Sequence, residues 1–106
     1  MILNNNDRIS LRLTIECCRR LKEDNSLINL VKNNQINLNI VHLNNKITKQ
    51  WNEILNSNDL NYIIKNVLQK NEEGQLLRST SPFSGIIPFN ELKEIKKNIK
   101  KIYNGI

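Results

Sequence analysis

The chain has 106 residues and a formal net charge of +6, enough for one domain with a modest core and no obligate disulfide or metal. Residues 1–3 are apolar but run into three asparagines, so neither the basic nor the apolar region of a secretory signal is present, and no run is long enough to span a bilayer. About one residue in five is Asn, with Ile and Lys also abundant, a bias of the kind an AT-rich genome imposes; the Asn runs at 4–6, 33–34 and 44–45 therefore carry no functional signal, and part of the lysine excess is compositional.

The first predicted element is a helix capped by Asp7 and running to about Glu23, with Ile15, Cys18 and Leu21 on one face. Residues 9–17 also alternate apolar and polar as a half-buried strand does, but the pattern continues to Leu21 without a turn residue, and that length favours the helix. Cys17 and Cys18 are neighbours. A bridge between adjacent cysteines is strained, so the expectation is reduced thiols in a cytoplasm, with Cys18 at least as a small buried side chain.

A short helix is expected from Ser26 as N-cap through Leu27, Ile28, Leu30 and Val31, stopped by Asn33 and Asn34. Residues 36–43 are read as irregular, an extended connection or short edge strand. Asn45 then caps a helix whose Ile47, Trp51, Ile54 and Leu55 step by four and three. Asn58 and Asp59 cap the next, in which Leu60, Ile63, Ile64, Val67 and Leu68 make a broad core-facing stripe. Residues 72–89, which hold both prolines and the apolar Phe83, Ile86, Ile87 and Phe89, read as a loop packed onto the bundle. Asn90 is expected to cap a last helix with a narrow seam of Leu92, Ile95, Ile99, Ile102 and Ile106. Like charges flanking that seam disfavour a parallel dimer, so it is expected to dock on its own bundle.

The fold class expected is therefore mostly α: one domain over residues 1–106, a small bundle of four or five helices, with a core at 7–71, a Pro/Ser/Gly loop at 72–89 and a C-terminal helix at 90–106. Trp51 is expected to be its buried anchor.

Catalytic chemistry finds little support. His42 is the only histidine and has no carboxylate partner fixed by spacing. The cysteine pair has no second Cys/His pair to complete four zinc ligands. The acidic pairs Glu23/Asp24, Glu72/Glu73 and Glu91/Glu94 fall at predicted helix ends, where negative charge is favoured or solvated, and the three glycines are too scattered to cradle a phosphate. No catalytic residue, cofactor or metal is expected. One basic feature remains: Lys93, Lys96, Lys97, Lys100 and Lys101 surround the C-terminal seam, either a solvated face or candidate contacts to nucleic acid.

The order of segments adds a resemblance. Asp7-Arg8 leading into a Leu/Ile helix, a short helix near 27–32, an Ile-containing connection at 36–43, then Trp51-x-x-Ile54-Leu55 and Leu60-x-x-Ile63-Ile64-x-x-Val67-Leu68 resembles the effector-associated, death-like adaptor domains of bacterial conflict systems over about residues 7–71. The family's proline-asparagine sequence after the last helix is absent, and residues 78–106 lie outside the likeness. The resemblance implies a non-enzymatic helical adaptor that associates with another protein, like domains included, in antiviral or immunity pathways. Its candidate partner face is Lys49, Gln50, Glu53, Asn61 and Lys65; the alternative is a small basic nucleic-acid-binding or regulatory protein. No membrane partner is expected.

Overall fold

A computed structural model describes residues 5–42 and 45–103 and is all-helical among them. Six helices follow in order: α1 (Asn5–Glu23), α2 (Leu27–Val41), α3 (Lys46–Asn56), α4 (Leu60–Val67), α5 (Glu72–Ser79) and α6 (Phe89–Tyr103). The mostly α expectation holds, with six helices where four or five were expected. The additional helix is α5, inside the segment read as loop, and α2 is much longer than expected.

Helix α1 is the hub, packing against α2, α4, α5 and α6, while α2 to α5 close around it through the pairs α2–α3, α3–α4, α3–α5 and α4–α5. Its buried residues Leu11, Thr14, Cys17, Cys18 and Leu21 recur at helical spacing, whereas Ile15 is exposed. The 9–17 alternation is thus incidental to a helix. Asp7 lies within its first turn, not at the cap. On the solvent side Glu16 accepts hydrogen bonds from Arg19 and Arg20, and Arg20 reaches α6 through a 2.7 Å ion pair with Glu91.

Ser26 does not cap α2: its backbone is already helical and its hydroxyl donates to Asp24 Oδ1 at 2.5 Å. Nor do Asn33 and Asn34 end the helix. The Asn34 amide donates to the carbonyls of Pro82 and Ser84 at 2.9 and 2.8 Å. Beyond it, Gln35 donates to Asn39 Oδ1, and Asn39 and Asn52 exchange reciprocal amide bonds of 3.1 and 3.0 Å that tie α2 to α3. Asparagine's weak helix propensity costs only tenths of a kcal/mol per residue, roughly, and tertiary contacts override it. Residues 36–41 are therefore helix, not an extended connection.

The caps at α3 and α4 follow the sequence. Asn45 Oδ1 accepts from the Ile47 and Thr48 N–H groups, and Asp59 Oδ1 from Asn61 and Tyr62. Asn58 is not a cap but the turn residue, with φ of 53°, a conformation asparagine tolerates better than most residues. Asn71 caps α5 by accepting from the Gly74 N–H at 2.8 Å, with Glu72 and Glu73 favourably placed in the first turn.

Trp51 is wholly buried at the centre. Its indole N–H donates to the Leu77 carbonyl at 2.9 Å, and its ring meets Phe83 edge-on with centroids 5.5 Å apart. Phe83, Ile86, Ile87 and Pro82 are buried, so the loop at 80–88 is packed down as expected, but Phe89, expected to pack with them, opens α6 and is exposed. Helix α6 opens at Phe89, with the Leu92 N–H bonded to the Pro88 carbonyl, so Asn90 sits inside the first turn and is not the cap. Its seam docks on α1 through Leu92, Ile95 and Ile99, but Ile102 is exposed; Ile106 lies outside the described residues.

Candidate functional site

Four features of the described surface could contact another molecule. The first is the expected partner face. Lys49 and Glu53 are exposed one turn apart on α3, and Asn61 and Lys65 are exposed one turn apart on α4. Gln50 stands apart from them: it is half-buried, with Oε1 enclosed and without a hydrogen-bond partner among the described residues.

The second is the lysine face of α6. Lys93, Lys96, Lys97, Lys100 and Lys101 are all exposed, and at 100° per residue they occupy one side of the helix, roughly opposite the docked seam. Lys93 lies 5.4 Å from the centre of the Phe89 ring. Glu91 is engaged by Arg20, which leaves Glu94 as the acid within this lysine group.

The third feature was not anticipated from sequence. On α2, Ile36, Ile40 and Val41 are 56%, 68% and 72% exposed. Ile36 and Ile40 stand one turn apart on the outward side, and a hollow flanks the helix on each side. One, of about 290 Å³, lies toward α3 and is bordered by Asn39, Asn52 and Leu55. The other, of about 220 Å³, lies toward the 81–84 loop and is bordered by Leu38, Val41 and Pro82. The signal available in the sequence is the Ile36/Ile40 spacing, which the stop-like pair Asn33 and Asn34 conceals. His42, beside this face, is exposed.

The fourth is an open cleft of about 480 Å³ between α1, the 81–87 loop and α6. Ile9, Leu13, Phe83 and Ile87 form its apolar side; Ser84, Arg78 and Lys96 are among its polar lining. Arg78 comes from the end of α5 and is only 6% exposed. Its Nη1 donates to the carbonyls of Val67 and Gln69 at 2.9 and 2.7 Å, while Nε and Nη2 are buried without a hydrogen-bond partner among the described residues. Burial pulls the Arg78 pKa below its ordinary value, with the charge of Asp7 opposing. Cys17, also on this cleft, and Cys18 are free thiols whose pKa values burial pushes up to about 11 and about 12.

Among the described residues no group of three His, Cys, Asp or Glu side chains is placed to hold a metal ion, and no helix is long and apolar enough to cross a membrane. Set against known protein families, curated proteins and solved structures, the sequence matches none of them.

Proposed function

We propose that this chain is a non-enzymatic interaction module that pairs with a like domain through the exposed apolar face of α2. The observation that carries the reading is the combination of Ile36, Ile40 and Val41, all more than half exposed, with the near absence of charge in the helix that carries them. Within Leu27–Val41 the only charged residue is Lys32, in a chain of net charge +6. Two copies of a strongly basic chain repel through most of their surfaces, and α2 is where they can approach without facing like charges.

A twofold-symmetric contact must be self-complementary, offering both projections and recesses on one patch. Ile36 and Ile40 supply the projections and the flanking hollows the recesses. Crossing two α2 helices antiparallel near residue 38 sets each Lys32 against the C-terminal end of the facing helix, where positive charge complements the dipole. This reading accords with what the resemblance to death-like adaptor domains implies, a module joining proteins in a bacterial defence or signalling assembly.

The one-sided lysine face of α6 favours a second reading, binding to nucleic acid. Surface binding of a labelled copy to an immobilised one separates the two. Self-pairing predicts loss of binding in Ile36→Glu and Ile40→Glu, with Lys96→Glu and Lys100→Glu retaining it. Binding to DNA or RNA that falls steeply as salt rises and disappears in the lysine variants, with no self-binding, would transfer the function to α6.

A further inference from the structure

The cleft at Arg78 shares the 81–84 loop with the hollow beside α2 but has its own chemistry. A guanidinium presents five N–H donors, and the Nε and Nη2 groups lie side by side on one edge, the fork that receives both oxygens of a carboxylate. In Arg78 this edge is buried and unpartnered among the described residues, while the opposite nitrogen is satisfied by two carbonyls. A buried cation left with two open donors is costly, and a fixed anion acceptor would complete it. The two carbonyls that hold Nη1 also keep the side chain from swinging out to water.

We infer that the cleft between α1, the 81–87 loop and α6 binds a small monocarboxylate with an apolar body, its carboxylate taken by the Nε/Nη2 edge of Arg78 and by Lys96. The lining fixes the class. Ile9, Leu13, Phe83 and Ile87 offer apolar surface to an aliphatic or aryl group, and a volume of about 480 Å³ suits a small organic molecule. The charge balance selects a monoanion: Arg78 and Lys96 bring two positive charges, and Asp7 is close enough to act electrostatically on Arg78. A dianionic phosphate would meet that carboxylate and would present more acceptor sites than the fork can fill.

With Nη1 held by its two carbonyls, the covered Nε/Nη2 edge is reached when the cleft-lining side chains over it move aside, and the Arg78 Nε–H resonance then reports the carboxylate. The probes are hexanoate and phenylacetate, with hexanamide as the neutral isostere and phenyl phosphate as the dianionic comparison, titrated into the full chain and followed by amide and arginine Nε–H NMR resonances. The expected result is saturable shifts at Phe83, Ser84, Gly85 and the Arg78 Nε–H with the carboxylates, and none with hexanamide. Lys96→Glu, a change at an exposed helix position that leaves the core untouched, should weaken hexanoate binding about tenfold or more. Arg78→Lys should abolish the carboxylate-specific shifts; should that variant fail to fold, the Lys96 variant and the hexanamide comparison decide the matter. Equal binding of hexanamide, undiminished binding in Lys96→Glu, tighter binding of phenyl phosphate, or no saturable shift with any probe would each overturn the assignment.

Discussion

A Cβ placed on Gly74 would overlap the carbonyl oxygen of Gln69, and that same oxygen accepts a 2.7 Å hydrogen bond from Arg78 Nη1. The glycine within α5 is therefore a clearance requirement. It lets the 67–69 backbone approach closely enough for its carbonyls to hold a buried guanidinium. In an ordinary helix position Gly→Ala stabilises by about 0.5–1 kcal/mol. Here Gly74→Ala is expected to destabilise by about 2 kcal/mol or more, measured by urea unfolding, because backbone must shift and the Arg78 bonds go with it. An unchanged or raised midpoint would contradict the clearance argument.

Trp51 joins α3 to α5 and to the 80–88 loop in one contact set, through the Leu77 carbonyl and the Phe83 ring. Trp51→Ala should cost about 3–5 kcal/mol. Trp51→Phe keeps most of the volume but leaves the buried Leu77 carbonyl without its donor, for a smaller loss of about 1–3 kcal/mol. Native tryptophan emission should be blue-shifted, moving red on unfolding; a solvent-like native maximum would contradict the burial.

Much of this was legible in the residues, and the failures have specific causes. Helices α3 and α4 could be read because Asn45 and Asp59 precede clear three-four stripes and do cap them. In sequence, α2 ends too early because two asparagines look like a stop, while what sustains the helix past them is amide bonding to residues far along the chain, Pro82, Ser84 and Asn52. Helix α5 was lost because Gly74 reads as punctuation when its reason is a tertiary contact. The same two errors concealed the functional candidates: the α2 face needs residues 36–41 to be helical, and the open edge of Arg78 depends on the path of the 67–69 backbone.

Burial pushes the thiols of Cys17 and Cys18 up to about 11 and about 12. The reactive species is the thiolate, which is scarce at neutral pH in the folded chain. Ellman's reagent at pH 8 should therefore react slowly with the native protein and release two equivalents rapidly in denaturant, matching the two cysteines of the chain. Rapid native labelling would show that α1 opens there.

Hydrogen bonds from Arg19 and then Arg20 lower the Glu16 pKa from 4.5 to about 2. A carboxylate depressed in the folded state contributes stability that is fully present above its unfolded pKa and is lost as pH falls through its folded one. The window is thus from pH 4.5 down toward 2. Glu16→Gln should cost about 0.5–1 kcal/mol at pH 7, since these ion pairs lie near the surface, and the parent and variant melting temperatures should converge as pH approaches 2. A difference that persists unchanged at pH 2 would mean Glu16 acts by packing alone.

Self-pairing through α2 is tested most directly by sedimentation velocity over a concentration range from micromolar to sub-millimolar, at moderate salt. The expected result is a reversible rise from the 12.4 kDa chain mass toward twice that value, abolished by Ile40→Glu with helical circular dichroism unchanged, and strengthened by salt as screening relieves the repulsion between basic chains. A chain that stays monomeric across the range, or a dimer that survives both Ile36→Glu and Ile40→Glu, would contradict it.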